Sequence, residues 1–188
     1  MSRIIVSQFV SIDGVIDSPG GEPEFDRSGW AFQFDRGPEG DQFKLEEVGQ
    51  ADALLLGRKT YAGFAAVWPT VTDEAGFAEK MNGMPKYVLS STLENPSWAN
   101  TTVLGSVDEV AKLRESGSEE LLVNGSAQLV QALAERNLVD EYRLMVFPTL
   151  LGAGRKLFGD TSAASKLKLV EMKPVGPDGV VVLTYQPA

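Results

Sequence analysis

Three short polar stretches each follow a strand-like run. Gly57-Arg58-Lys59-Thr60 follows Ala53-Leu54-Leu55-Leu56, Ser90-Ser91-Thr92 follows Lys86-Tyr87-Val88-Leu89, and Asn124-Gly125-Ser126-Ala127 follows Glu120-Leu121-Leu122-Val123. The first and third run on into helical spacing, with Tyr61, Phe64 and Ala65 in one case and Leu129, Val130, Leu133 and Ala134 in the other. A strand, a small-residue turn and a helix start leave unpaired N–H groups where an anion binds readily. Gly125 would let a phosphate approach the backbone closely. Arg58 and Lys59 bring two cations, and arginine's planar fork suits phosphate oxygens. Many α/β proteins carry one such corner empty; two in one chain point more firmly to a phosphate-bearing ligand.

The remaining chemistry is narrow. The chain has no histidine and no cysteine. This excludes Ser-His-Asp catalysis, thiolate chemistry, a disulfide framework and histidine-based metal sites, and no metal is expected. Carboxylates are left for proton transfer. Asp13 stands in the turn Ser11-Ile12-Asp13-Gly14, where it reads equally as a substrate contact or as the acceptor of an Asp-Gly turn. Asp41 could pass a proton through water to a reduced ring, although a carboxylate at a helix start needs no function. Trp30 could stack on a substrate ring or pin its loop to the core. Arg155-Lys156 could meet a substrate phosphate or be solvated. Glu46-Glu47 and Glu119-Glu120 read as surface.

The elements that must hold these residues follow from periodicity. Strands are expected at about 3–11, 53–56, 86–90, 101–104, 120–123, 141–147, 167–174 and 179–186, all in one sheet. A long loop after Gly14 runs to about Gly37 and carries Trp30, Phe32 and Phe34, and its aromatics favour an ordered lid. Helices are expected at 41–48, from Tyr61 to Trp68, at 72–81, at 107–114 and after Ser126. Ser106 with Glu109 forms a capping-box pattern, and Ser126 can cap the last helix. Pro177-Asp178-Gly179 signals a hairpin. Strand–helix units followed by three strands predict an α/β fold: a mostly parallel, twisted sheet of about eight strands with helices on both faces and an antiparallel C-terminal hairpin. Ligands of such sheets sit beyond the carboxyl ends of the strands.

The 188 residues fit a single domain spanning 1–188. With 43% hydrophobic residues the chain can bury a sizeable core. A net charge of -9 argues against a nucleic-acid or anionic-membrane partner. No stretch approaches the roughly 18 apolar residues of a membrane span. The start, Met1-Ser2-Arg3-Ile4-Ile5-Val6, reads as a strand rather than a signal peptide, so a cytoplasmic protein is expected.

Leu56-Gly57-Arg58-Lys59-Thr60-Tyr61 resembles the Gly-Arg-Lys-Thr motif of dihydrofolate reductases, Val88-Leu89-Ser90-Ser91-Thr92 their second nucleotide-contacting strand end, and Asn124-Gly125-Ser126 their Gly-Gly-Ser turn. Ser11-Ile12-Asp13-Gly14, Ala51 to Leu56, Leu138-Val139-Asp140-Glu141 and Pro148 to Gly154 are similar to the riboflavin-biosynthesis reductase branch. Nearly the whole chain resembles this dihydrofolate-reductase-like family. The resemblance implies a homodimeric, NADPH-dependent reductase of a pyrimidine- or pterin-like heterocycle. Arg58 to Thr60, after Gly57, would hold the 2′-phosphate and part of the pyrophosphate. Asn124, Gly125, Ser126 and Ala127 would hold the pyrophosphate, with a cis bond at Asn124–Gly125. Ser90, Ser91 and Thr92 would meet the adenine ribose. The nicotinamide would lie near Val10 to Gly14 and Phe147, with the substrate among Ile12, Gly14, Trp30 and Phe147. One major cavity is expected between the two corners and that region. Asn124 replaces the family's first turn glycine, and Val123 replaces a glutamate common in the riboflavin branch, so the heterocycle stays open. The other class is a nucleotide-binding, homodimeric module without turnover.

Overall fold

The computed structural model describes residues 1–21, 25–159 and 164–188. Eight strands form one sheet: β1 Arg3–Ser11, β2 Ala53–Gly57, β3 Lys86–Leu89, β4 Thr101–Leu104, β5 Glu120–Asn124, β6 Glu141–Phe147, β7 Leu167–Val175 and β8 Val180–Pro187. Their order is β4-β3-β2-β5-β1-β6-β8-β7. Strands β1 to β6 pair in parallel, and β8 and β7 close the sheet antiparallel. The expected strands and hairpin are therefore present.

Alternation along the buried strands makes two layers. Ile4, Val6, Leu55, Leu121 and Val123 pack against Val110 of α4 (Val107–Ser116) and Leu129, Val130 and Leu133 of α5 (Ala127–Glu135). Ile5, Leu54, Leu56, Val88 and Leu122 face the other way. They meet Val48 of α1 (Gly37–Gln50), Tyr61 of α2 (Arg58–Val67) and Met81 of α3 (Phe77–Gly83). A third cluster joins Trp30, Met145, Phe147, Val175, Val180 and Val182 beneath the loop after β1.

Local chemistry moves some boundaries. Helix α1 begins four residues earlier than expected, because Pro38 pre-sets its first turn. Helix α3 begins five residues later than expected. Asp73 accepts hydrogen bonds from the Phe77 and Ala78 N–H groups, so the residues between form the turn into the helix. Those two donors hold its carboxyl below the usual value. The Ser106 hydroxyl accepts from Glu109 N–H as its motif predicts, while Glu109 reaches back to Gly105 N–H.

Glu47 is a correction, since it lies inside rather than on the surface. On α1, Gly40, Glu47 and Val48 face inward. The Glu47 carboxylate accepts from Ser7 Oγ at 2.8 Å and Lys44 Nζ at 2.6 Å, with Arg143 3.8 Å away. A buried carboxylate needs such partners. Glu120 is likewise partly covered, near Arg3 and Arg143.

Candidate functional site

The strand order brings the predicted residues into one row. Neighbours β3, β2, β5, β1 and β6 run parallel, so all end at one edge of the sheet. Along that edge stand Ser90 to Thr92, Gly57 to Thr60, Asn124 to Ala127, Ser11 to Gly14, and Phe147 with Pro148. From β3 to β1 the row covers three strand spacings, about 14 Å.

The two helix corners are adjacent and stitched together. Gly57 N–H donates to Ser126 Oγ at 2.9 Å, and Ser126 N–H donates to Thr60 Oγ1 at 2.9 Å. From β1, Gln8 Nε2 donates to the Gly125 carbonyl at 2.7 Å. A Cβ on Gly125 would stand 2.9 Å from Thr60 Oγ1, so the close approach requires glycine. Two expectations change here. The Asn124–Gly125 bond is trans, because Gly125 and Ser126 both take left-handed conformations, φ 57 and 59, and reverse the chain themselves. Ser126 does not cap α5, since its hydroxyl is engaged with Gly57 N–H. Ala127, the first residue of α5, is buried.

Beside this double corner lies a groove of about 410 Å³, lined by Arg58, Tyr61, Ala62, Ala65, Ala66, Thr92, Leu93, Asn95 and Ser97. Its first wall is α2, whose alanines at 62, 65 and 66 present a smooth face. The turn after β3 is the second. Ser90 Oγ builds that turn by accepting from Thr92 and Leu93 N–H, which sets both residues on the groove. Tyr61 holds the loop from below, its hydroxyl accepting from Trp98 N–H at 2.9 Å. Arg58, Lys59 and Ser91 are exposed.

The far end of the row differs from expectation. Phe147 is fully buried, and Phe9, Trp30 and Phe34 pack around it at ring-centroid distances of 5.3, 5.4 and 5.9 Å. The Trp30 indole N–H donates to the Asp17 carbonyl at 2.8 Å, which pins the lid. These rings fill the space over β1 and β6. Among the described residues, the groove along α2 and a second cavity of about 190 Å³ are lined by other residues than those expected at Ile12 to Gly14 and Phe147. That cavity is lined by Ala31, Phe32, Phe34, Asp35, Arg36, Gly37 and Asp41. In it Arg36 Nε donates to Asp41 Oδ1 at 2.7 Å, and the guanidinium lies 5.1 Å over the Phe9 ring. Gly40 makes this possible, because a Cβ there would stand 2.9 Å from the Arg36 side chain.

Asp13 is a staple. Its carboxylate accepts from Ser11 Oγ at 2.6 Å, Leu151 N–H at 3.1 Å and Gly152 N–H at 2.7 Å. These bonds, the Ser11 hydroxyl first, hold its carboxyl at about 2. At pH 7 it is a carboxylate that only accepts hydrogen bonds. It ties the turn after β1 to the Gly-rich loop after β6. Gly14, at φ 84, accepts Leu157 N–H on its carbonyl and continues the same seam, while Ile12 stays exposed. Sequence reasoning missed Gln8, Arg36, Leu93, Asn95 and Ser97. The small-residue spacing at 62, 65 and 66 was a readable signal for the groove.

Fold and site together define the class: a dihydrofolate-reductase-like α/β protein, with its polar turns gathered along the carboxyl edge of the sheet. The chain belongs to the RibD C-terminal domain family, whose profile matches residues 2–181. This is a reductase-like family. An uncharacterized Bacillus subtilis protein, YyaP, is 29% identical over 97% of this chain and 94% of its own length. Among solved structures, a putative riboflavin biosynthesis protein from Shewanella sp. PV-4 superposes with a TM-score of 0.76 at 23% identity, covering 99% of both chains. An Enterococcus faecalis dihydrofolate reductase complexed with NADP(H) gives 0.64 at 14% identity, covering 98% of this chain and 96% of the other. At these identities the two structures establish the fold. Among the described residues, no helix is long and apolar enough to cross a membrane.

Proposed function

We propose that this protein is an NADPH-dependent reductase of a small pyrimidine- or pterin-like heterocycle. One observation carries the reading. The Gly57 and Gly125 corners are adjacent and joined, and the Arg58 groove opens directly beside them. Corners on opposite edges of the sheet could not have shared one dinucleotide.

The residues present fit that cofactor. The groove offers a flat alanine wall and Leu93 to an adenine-sized ring, Thr92, Asn95 and Ser97 to ribose hydroxyls, and Arg58 to a 2′-phosphate. The left-handed turn at Gly125 and Ser126, held by Thr60, is the corner we assign to the pyrophosphate. When bound, NADPH supplies a hydride, and the protein's part is to bind, orient and exclude water. Arg58 and the first N–H groups of α2 meet phosphate charge together. Gln8, Thr60 and Ser126 keep the two corners in register. Asp13 holds the turn that carries Ile12 and Gly14 toward the substrate. Asp41, exposed in the smaller cavity and paired with Arg36, is the carboxylate we assign to the relay of a proton through water to the reduced ring.

One observation favours the other reading, a nucleotide-binding module without turnover. The rings of Phe9, Trp30, Phe34 and Phe147 occupy the space above β1 and β6. A screen of oxidised pyrimidines and pterins for NADPH consumption separates the two. Turnover with at least one heterocycle is expected. Tight NADPH binding with no consumption across the screen would favour the module.

A further inference from the structure

Lys86 opens β3 with its side chain fully buried. A buried ammonium is costly unless a partner compensates it. In the sheet, β2 sets Leu54 beside Lys86 and β4 sets Thr101. Asn82 comes from α3 and Trp98 from the loop after β3, and none of the four is charged. The charged residues of α3, Glu79 and Lys80, make no ion pair with it. The ammonium donates to the Asn82 carbonyl and lies 4.3 Å from the centre of the Trp98 ring. An aromatic face therefore stands where a carboxylate usually would. Burial alone draws the group down from 10.5 to about 8.

Trp98 is the far anchor of the groove wall. Ser90 fixes the start of that wall, and Trp98 follows Ser97 at its end. The Trp98 backbone N–H donates to the Tyr61 hydroxyl at 2.9 Å, and Tyr61 itself lines the groove. Its indole N–H donates to Asn82 Oδ1 at 2.7 Å, and its carbonyl accepts from Thr101 Oγ1 at 2.6 Å. Asn82 Nδ2 donates in turn to the Trp68 carbonyl, just past the end of α2. Both walls of the groove thus meet at Trp98 and Asn82, against the Lys86 ammonium.

A methionine would fill much of the same space without burying a charge. What the ammonium adds is attraction to the ring face, which fixes where Trp98 sits.

We propose that Lys86 is a positioning residue of the groove: its ammonium holds the Trp98 ring and, through it, the wall from Thr92 to Ser97 at the spacing that grips a nucleotide. The control lies at the start of β3, about 10 Å along the strand from the end that meets the ligand. Raising the pH through about 8 removes the charge, so the grip weakens as Lys86 loses its proton. Coupling is reciprocal, so a bound nucleotide should raise the midpoint. The inference deepens the nucleotide reading and rests on it for the second measurement only.

The first measurement is nuclear magnetic resonance of the isotope-labelled full chain without ligand, across the midpoint. The Lys86 Cε resonance reports its own titration in wild type, so the decision does not depend on a variant that folds. The Trp98 ring and the methyl groups of Thr92 and Leu93 should shift with that same midpoint, near about 8. In Lys86→Met they should stay flat. Thr92 and Leu93 methyls that stay flat while Lys86 titrates overturn the proposal. The second measurement is NADPH titration at about pH 7 and about pH 9, either side of the midpoint. Wild type should bind about three- to tenfold more weakly at the higher pH, the scale of a lost cation–ring attraction. Lys86→Met should show the weaker affinity at both, which separates Lys86 from every other group that titrates. Equal wild-type affinity at the two pH values overturns the proposal. Absence of NADPH binding at both pH values instead counts against the reductase reading, and the methyl titration then decides alone.

Discussion

Asp13 offers the sharpest separation between a catalytic and a positioning carboxylate. Its two oxygens accept from Ser11 Oγ, Leu151 N–H and Gly152 N–H. Asp13→Ala removes all three bonds and leaves the turn after β1 unattached to the loop after β6. A hydrogen bond to a charged group contributes about 1.5–3 kcal/mol, and unpaired buried donors cost on the same scale. Leu151 is buried, while water can replace the acceptor at exposed Gly152, so the low end applies. The expected loss is about 2–4 kcal/mol, read by urea unfolding. For a chain of this size that lowers the melting temperature by about 5–15 °C. Asp13→Asn keeps one acceptor oxygen and should lose about half as much. The acid limb has a defined sign. Asp13's carboxyl is held at about 2 against an ordinary 3.8, so its contribution is complete above 3.8 and is lost as pH falls through about 2. Asp13→Ala should lack that part of the acid dependence. If Asp13→Ala unfolds within about 0.5 kcal/mol of wild type, the staple is not holding the loops, because surface substitutions alone account for that much.

Thr60→Val leaves Ser126 N–H without its acceptor and should cost about 1–3 kcal/mol in urea unfolding while weakening NADPH; unchanged stability would mean that the two corners are not held by this bond. Gly176, at φ 65, would place a Cβ 2.3 Å from the Arg36 carbonyl carbon and 2.4 Å from the Asp35 oxygen. Gly176→Ala should therefore destabilise by about 2–4 kcal/mol by the same measurement, and a neutral result would contradict that close approach. Lys86 is fully buried, with its ammonium bonded to the Asn82 carbonyl and 4.3 Å from the Trp98 ring; burial pulls it from 10.5 to about 8. Between those values the unfolded chain binds a proton that the folded one does not, so wild-type stability should rise with pH there, and Lys86→Met should lack the rise. Parallel pH profiles for the two proteins would refute this.

The strands were legible because Ala53 to Leu56 and Leu121 to Val123 are short apolar runs between turn residues. The adjacency of the two corners was less so. It depends on β2 pairing with β5 across more than sixty residues, a non-local event that no local period records. The same bond explains the failed cap, since Ser126 satisfies Gly57 N–H from the neighbouring strand instead of its own helix. Glu47 read as surface because its face of α1 carries Lys44 as well. Ser7 and Arg143, brought by β1 and β6, join Lys44 in making burial there tolerable. Trp30 and Phe147 showed their aromatic character but not their packing, which three separate segments create. The groove was half legible: the α2 alanines recur at helical spacing, whereas Leu93, Asn95 and Ser97 come from an irregular turn without a periodic signal.

The central claim is that the Arg58 groove reads the phosphate that distinguishes NADPH from NADH. The direct measurement is a titration of both cofactors against wild type and Arg58→Ala, followed by tryptophan fluorescence. The account predicts that wild type prefers NADPH. It also predicts that Arg58→Ala weakens NADPH by about 1.5–3 kcal/mol, the scale of a charged hydrogen bond, and barely changes NADH. Equal losses for the two cofactors, or no binding of either to wild type, would contradict it.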